Sequence, residues 1–128
     1  MSDSPLKVWL DREGTLLRLR LARPKANIVD AAMIAALEGA LAEYREVKEL
    51  RAVLLDHEGP HFSFGASVDE HMPGQCDEML KSLHSLVRDM LNCPLPLLVS
   101  IKGQCLGGGL EVALAGSMLF AAPDAKLG

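Results

Sequence analysis

The stretch Gly103 to Glu111 (GQCLGGGLE) carries the residues of this chain that are best suited to chemistry. It follows an apolar, strand-like segment, Leu95 to Ile101, and opens a short apolar helix predicted over Leu110 to Ala115. Glycines at a strand-to-helix turn let the backbone approach a ligand, and a helix N-terminus offers unpaired N–H groups to negative charge. Glu111 follows Gly108 by about one helical turn, so its carboxylate can face the same side. The pattern is typical of oxyanion stabilisation beside an acid/base carboxylate, although a glycine turn before a core helix would look the same.

A second turn of small residues lies upstream. The segment Arg51 to Asp56 has the character of a short buried strand, and His57 to Pro60 follows it as a turn. The run His61 to Glu70 (HFSFGASVDE) comes next, and its small residues can offer a backbone N–H at Ala66. A second backbone donor favours the interpretation of the glycine turn as an oxyanion site over a turn that only precedes a core helix.

Together these motifs resemble those of the crotonase (enoyl-CoA hydratase/isomerase) superfamily. Its members carry a strand, then Phe-Ser-x-Gly-Ala-Asp, then a helix, a strand and Gly-Gly-Gly-x-Glu. Arg23 to Asn27 (RPKAN), ahead of a predicted helix, is similar to the family's N-terminal turn, which begins with Arg-Pro and ends with Asn. The motifs occur in the family's order and span essentially the whole chain.

The hydrophobic pattern predicts strands that alternate with helices. The segments Lys7 to Leu10 and Leu16 to Leu21 form a hairpin, and Asp30 caps a helix that ends near Tyr44. The apolar face of this helix is predicted to be Met33, Ile34, Leu37 and Leu41. A second helix, capped by Asp77, is predicted to have an apolar face of Leu80, Leu83, Val87, Met90 and Leu91. Further strands are predicted at Ala52 to Asp56, Leu97 to Ile101 and Met118 to Ala121.

Such alternation indicates an α/β fold with largely parallel strands covered on both faces. The resemblance implies a crotonase-like spiral of ββα units. Family domains are about twice as long as this chain, and a second motif, commonly Gln-Pro-Glu, would begin where this sequence stops. We therefore expect residues 1–128 to be the N-terminal part of a single crotonase-like domain, incomplete at the C-terminus, which on its own is inactive and prone to associate. At full length, the resemblance implies a homotrimer or hexamer.

Composition excludes several classes of function. The chain has 128 residues, 49% of them hydrophobic, which is ample for a core. A net charge of −4 without a basic cluster argues against nucleic acid. No segment approaches the roughly 18 apolar residues that span a bilayer, and the polar N-terminus carries no signal-peptide core.

Three cysteines without CxxC spacing suggest neither disulfides nor zinc, so we expect a cytoplasmic protein. His57 and His61 straddle a Gly-Pro turn without a further ligand, so no metal site is expected there.

The resemblance also implies a chemistry. The substrate would be an acyl-CoA thioester, so no cofactor is expected beyond the CoA of the substrate itself. Backbone N–H groups of Ala66 and Gly108 would form the oxyanion hole for the thioester carbonyl. Glu111 would be one of the two glutamates that position water and shuttle its proton, a role suited to a glutamate whose pKa is raised by partial burial. Residues implied to bind substrate or CoA are Lys25, Ala26, Phe64, Gly65, Ser67, Val68 and Gly107.

Two positions depart from the family pattern. Ser67 replaces the aspartate of Gly-Ala-Asp, and Asp69 stands where a lysine often contacts the CoA phosphates. The backbone role of Ala66 survives both changes, but the cations that bind CoA must come from elsewhere. Lys25 and Arg23 are the candidates.

The motifs are most similar to those of family members that add water to a cyclic conjugated dienoyl-CoA in anaerobic benzoyl-CoA degradation. Two alternatives stay open. One is a general straight-chain enoyl-CoA hydratase or isomerase, and the other is a non-catalytic acyl-CoA-binding paralogue. The residues around the second acid would discriminate between them.

Overall fold

Alternating leucines and arginines begin the fold as an antiparallel hairpin. In a computed structural model, which describes residues 4–23, 26–65 and 76–128 (of Cys76, the backbone only), β1 (Leu6–Asp11) pairs with β2 (Leu16–Leu21). In β2 the leucines at positions 17, 19 and 21 are buried, while Arg18 and Arg20 point to the other, more accessible face. The predicted half-exposed strand in a hairpin is confirmed.

The other strands of the main sheet are parallel. β3 (Ala52–His57), β4 (Leu97–Ile101) and β6 (Met118–Ala121) extend the sheet in the order β1-β2-β3-β4-β6, and every pairing after β1-β2 is parallel. Parallel neighbours require crossover connections, which here contain the helices. A small second sheet, which the pattern did not predict, pairs β5 (Gln104–Cys105) with β7 (Lys126–Leu127).

The first helix begins as predicted. α1 (Ala31–Tyr44) is preceded by Asp30, whose side chain accepts a hydrogen bond of 2.9 Å from the Met33 N–H. An aspartate in this position satisfies one of the helix's unpaired N–H groups. Three of the four predicted core residues are fully buried, and the fourth, Leu41, is partly buried against the core.

The second helix is rotated relative to the prediction. α2 (Cys76–Leu91) buries Met79, Leu83, Leu86 and Met90, whereas Leu80 and Leu91 are 38% and 65% exposed. The buried residues recur at helical spacing, and one stripe cannot also include Leu80 and Leu91. Asp77 is inside the first turn and is not its cap; there its charge complements the helix dipole.

The last helix starts earlier than predicted. α3 (Gly107–Leu114) includes all three glycines in its first turn, and Ala115 is its C-cap. The glycines therefore supply the helix N-terminus itself and do not form a separate turn before it.

Cover of the parallel strands is uneven. In β4, Leu97, Val99 and Ile101 are buried, but in β6 Met118 and Phe120 are 54% and 52% exposed. The described residues thus do not supply the cover on both faces that the apolar sequence of β6 predicts. None of the helices in the described part of the chain has the length and apolar character that spanning a bilayer requires.

Charged residues stabilise the accessible face of the hairpin. Asp56 in β3 accepts hydrogen bonds of 2.8 to 2.9 Å from Arg18 and Arg20, and both guanidinium groups lie about 5 Å from the Trp9 ring. Burial alone would raise the pKa of Asp56, but its hydrogen bonds to Arg20 and Arg18 and their charges outweigh burial and lower it. The carboxylate therefore stays ionised beside two arginines.

Two histidines hold the segment between β4 and β5. His57 Nε2 accepts the Lys102 N–H at 3.0 Å, and His61 Nδ1 accepts the Gln104 N–H at 2.9 Å. Both bonds require an unprotonated ring nitrogen. Burial lowers the pKa of His57, and the nearby Lys102 charge acts in the same direction; Asp56 and backbone carbonyls of Glu58 and Gly59 oppose them. These histidines therefore stabilise the backbone that leads to the glycine turn.

We expect His57 to make the protein less stable as the pH falls below about 6.5, because its pKa in the folded state lies below that unfolded value. As the pH falls through that value, the unfolded chain takes up a proton before the folded chain does. The free energy of unfolding should therefore fall, by at most about 1.4 kcal/mol per pH unit from this group. Urea unfolding at several pH values measures the slope.

The matched variants are His57→Gln, whose side-chain oxygen can still accept the Lys102 N–H, and His84→Gln, on the exposed face of α2. His57→Gln should flatten the slope and His84→Gln should leave it unchanged. Equal slopes in both variants and in the wild type would contradict the role of His57.

Candidate active site

A buried asparagine anchors the N-terminal turn to the segment after β3. Asn27 is 0% exposed and has a positive φ of 43°, a conformation that asparagine tolerates better than most residues. Its side-chain oxygen accepts the Arg23 N–H at 2.8 Å, and its amide donates to the carbonyls of Glu58 and His61 at 3.1 and 3.2 Å. The side chain thus makes three of its four hydrogen bonds with backbone groups of two segments.

Ser63 connects three segments at the centre of the site. Its hydroxyl donates to the Asn27 carbonyl at 2.8 Å and accepts the Gly65 N–H at 3.0 Å. Its backbone N–H donates to the Gln104 carbonyl, and its carbonyl accepts the Leu106 N–H, at 3.1 and 3.0 Å. Ser63 is fully buried, so these bonds set the spacing between the two small-residue turns.

The two turns approach so closely that side chains would collide. Gly65 has a φ of +105°, and a Cβ atom there would lie 3.1 Å from the Leu106 carbonyl oxygen and 3.6 Å from the Gly108 nitrogen. A Cβ atom at Gly109 would lie 2.5 Å from Ser63 Cβ. Glycine is therefore required at both positions, one for its backbone conformation and the other for space.

The first turn of α3 presents unpaired donors beside Gly65. The N–H groups of Gly109 and Leu110 both turn back to the Leu106 carbonyl, at 2.9 and 3.2 Å. The preceding N–H groups, those of Gly107 and Gly108, have no carbonyl one turn earlier within the helix. No hydrogen-bond partner for either group lies within the described residues. An oxygen atom that develops negative charge is the ligand that such donors favour.

These donors lie beside a cavity of about 220 Å³. Its described lining residues come from the 61–65 segment, α2 and α3; they are Phe64, Gly65, Met79, Leu80, Leu83, Gly107, Gly108 and Glu111. One wall is thus apolar, and the other combines a helix N-terminus with a carboxylate. A cavity with mostly apolar walls and few polar groups is typical of a small-molecule site.

Glu111 lies on the cavity side of α3, as the spacing from Gly108 predicts. It is exposed, so the partial burial expected from the sequence is not supplied by the described residues. In this structure Glu111 is an accessible carboxylate that lines the same cavity as Gly107 and Gly108, whose N–H groups have no partner among the described residues.

The structure places only some of the predicted substrate residues. Phe64, Gly65 and Gly107 line the cavity together with Gly108 and Glu111. Ala26 is not among the described lining residues; its carbonyl accepts the Phe64 N–H at 2.9 Å, which supports the segment that does line the cavity. The other predicted site residues, Lys25, Ala66, Ser67 and Val68, lie outside the described residues.

Sequence reasoning missed part of the cavity wall. Leu80 and Leu83 were predicted to lie on the apolar face that packs in the core, yet both line the cavity together with Met79, and Leu80 is 38% exposed there. The signal was available in the sequence, since a helix with apolar residues on more than one stripe must cover more than one surface. The structural roles of Asn27 and Ser63 were also missed, because only long-range contacts define them.

Among the described residues of the site, neither metal binding nor thiol chemistry is indicated. Across residues 4–23, 26–65 and 76–128, no group of three or more His, Cys, Asp or Glu side chains could hold a metal ion. Cys105 is a buried free thiol next to the glycine turn, and burial raises its pKa to about 11. It therefore stays protonated and is a poor nucleophile at neutral pH.

Comparisons with known proteins agree with this geometry. A model of the enoyl-CoA hydratase/isomerase family matches residues 11–128. The chain is 75% identical over 127 residues to the cyclohexa-1,5-dienecarbonyl-CoA hydratase of Thauera aromatica, and 30% identical over 138 aligned positions to the carnitinyl-CoA dehydratase of Salmonella enteritidis. The alignments cover 99% and 100% of this chain but 49% and 52% of those proteins. The chain thus spans about half the length of the curated relatives it matches.

Solved structures share the fold. An enoyl-CoA hydratase/isomerase from Xanthobacter autotrophicus Py2 is similar with a TM-score of 0.89 at 25% identity, covering 99% of this chain and 49% of that chain. An enoyl-CoA hydratase from Bacillus anthracis gives 0.89 at 26% identity, covering 97% and 50%. The predicted crotonase-like α/β fold is confirmed.

We expect Gly109→Ala to destabilise the protein by about 1–3 kcal/mol, because the new methyl group overlaps Ser63 in a packed interior. Gly39→Ala is the matched control, since Gly39 lies exposed in α1 and nothing is within 4 Å of an added Cβ atom. That change should stabilise the protein by about 0.5–1 kcal/mol. Denaturant unfolding of the protein encoded by the complete gene measures both, and a Gly109→Ala variant as stable as Gly39→Ala would contradict the close approach.

Proposed function

The chain belongs to the enoyl-CoA hydratase/isomerase family, and from that premise we propose that the protein encoded by its complete gene is a hydratase of cyclic dienoyl-CoA thioesters. The substrate proposed is cyclohexa-1,5-diene-1-carbonyl-CoA, and the product is 6-hydroxycyclohex-1-ene-1-carbonyl-CoA. The carrying observation is the 75% identity to a hydratase named for this substrate, over 99% of this chain. The reaction would belong to anaerobic benzoyl-CoA degradation.

The proposed oxyanion hole combines two backbone donors. The Gly108 N–H lies at the start of α3 beside Gly65, and Ala66 follows Gly65 in the sequence. Addition of water to a conjugated thioester pushes electron density onto the thioester oxygen. Two N–H groups aimed at that oxygen, with the helix dipole behind one of them, stabilise the enolate-like transition state. Loss of a single such donor typically costs about 3–4 kcal/mol.

Glu111 is proposed as one member of the acid/base pair. Its carboxylate would take the proton of the attacking water while the hydroxyl group bonds to the ring carbon. A proton is delivered to the carbon at the other end of the conjugated diene, and the remaining double bond moves between the two ends. One water molecule is thereby added across the diene, and the named 6-hydroxy product is formed. The supporting observation is that Glu111 lines the same cavity as Gly108. A second acid/base group would come from another part of the protein.

The substrate assay tests the proposed function directly. Purified protein from the complete gene should hydrate the cyclic dienoyl-CoA with a kcat/KM well above that for crotonyl-CoA, a straight-chain thioester. The readouts are the loss of diene absorbance and the mass of the product, which exceeds that of the substrate by one water molecule. Turnover of crotonyl-CoA alone would favour the general straight-chain hydratase, and binding without turnover of either thioester would favour the non-catalytic paralogue.

We expect Glu111→Gln to lower kcat by about 10²–10⁴-fold, because the amide keeps the shape of the side chain but cannot exchange a proton. Thermal stability should change little, since Glu111 is exposed. Glu43→Gln, an exposed glutamate on α1, is the matched control and should keep wild-type activity. Wild-type kcat in a folded Glu111→Gln protein would show that the carboxylate is not needed.

A further inference from the structure

We propose that Phe64 is a specificity-determining residue, whose ring forms a fixed flat wall that favours a planar, ring-shaped acyl group over a flexible straight chain. This inference rests on the proposed function and assigns the substrate class of the same site to one side chain. It needs only residues that line the cavity in the described part of the chain.

The exposure of Phe64 is the first observation. The side chain is 42% exposed, although most large apolar residues of the 52–65 segment are buried. It lines the cavity that also contains Gly108 and Glu111. A large aromatic ring that is left accessible beside polar groups of a cavity is available to a ligand.

The backbone on both sides of the ring is held in place. The Phe64 N–H donates to the Ala26 carbonyl at 2.9 Å. The next residue, Gly65, donates its N–H to the Ser63 hydroxyl at 3.0 Å, and its carbonyl accepts the Val29 N–H at 2.8 Å. Phe64 therefore cannot move away from the cavity without breaking hydrogen bonds to buried groups.

The ring is supported from one side by His61. The ring centroids are 5.0 Å apart with an interplanar angle of 64°, an edge-to-face arrangement that aromatic pairs prefer. His61 is itself fixed, since its Nδ1 accepts the Gln104 N–H and its carbonyl accepts the Asn27 amide. The supported ring therefore presents a surface whose orientation is set before a ligand binds.

A surface of this kind discriminates by shape. A planar, partly unsaturated ring can lie against an aromatic wall over a large area and has few internal rotations to lose. A straight acyl chain matches less of that wall and must give up rotational freedom to follow it. The side chains that α2 contributes to the cavity, Met79, Leu80 and Leu83, are aliphatic and can adapt to either group.

The test compares two thioesters on three variants of the protein encoded by the complete gene. The readout is the ratio of kcat/KM for cyclohexa-1,5-diene-1-carbonyl-CoA to kcat/KM for crotonyl-CoA. Phe64→Ala removes the wall, whereas Phe64→Leu keeps an apolar side chain but removes the flat ring. Leu91→Ala is the control, since Leu91 is 65% exposed at the end of α2 and does not line the cavity.

We expect Phe64→Ala to lower the ratio by about 10-fold or more, with most of the loss on the cyclic substrate, as pocket contacts of this size discriminate by about 10–200-fold. Phe64→Leu should lower it in the same direction and by less, and it decides the question if Phe64→Ala does not fold. Leu91→Ala should leave the ratio unchanged.

Two results would overturn the proposal. A ratio unchanged in the folded Phe64 variants, which includes an equal loss on both thioesters, would show that the ring does not select, while the proposed function would stand. If the wild-type protein does not hydrate the cyclic thioester, the proposed function and the role of Phe64 fail together.

Discussion

The buried hydroxyl group of Ser63 is the contact on which the candidate site depends. It joins the Asn27 carbonyl to the Gly65 N–H, while the backbone of the same residue pairs with Gln104 and Leu106. Three segments that are far apart in the sequence are thereby held together around the fully buried Ser63. A typical buried hydrogen bond contributes only about 0.5–1.5 kcal/mol net, but an orphaned partner costs about 1–3 kcal/mol. The network is therefore expected to hold as a unit, since no member can leave without stranding another.

That network explains why small residues surround it. The Ser63 side chain lies where a methyl group on Gly109 would be, and Gly65 lies against the first turn of α3. The close approach brings the Gly108 nitrogen beside the turn that leads to Ala66, and it leaves the cavity as the space next to both. The short distance between the two small-residue turns thus determines the packing, the backbone conformation and the position of the donors together. In the proposed oxyanion hole, donors held in place by this contact would need no rearrangement as charge develops on a bound thioester, which is the condition for strong electrostatic stabilisation.

Local signals in the sequence were sufficient for most of the fold and for part of the site. The Asp30 cap, the hairpin and the glycine-rich N-terminus of α3 depend on neighbours in the chain, so their patterns were readable. The rotation of α2 was not readable, because Leu80 and Met79 are both apolar and only the packed structure decides which of them is buried. His57 and His61 resembled possible metal ligands, yet they accept backbone N–H groups from the segment after β4. No local pattern encodes such partners, which the topology of the parallel sheet brings together. The proposed donor at Ala66 stays a prediction from the sequence.

We propose that backbone N–H donors held in place by Ser63 polarise a bound thioester carbonyl. Isotope-edited infrared spectroscopy tests it most directly, with a saturated cyclic acyl-CoA that carries a ¹³C-labelled thioester carbonyl and cannot be hydrated. On binding to the protein encoded by the complete gene, the carbonyl stretch should move to lower wavenumber, because two N–H groups withdraw electron density from the double bond. In Ser63→Ala, which strands the Asn27 carbonyl and the Gly65 N–H, the displacement should be smaller. A bound carbonyl with the frequency of the free thioester, or an equal displacement in both proteins, would contradict the claim.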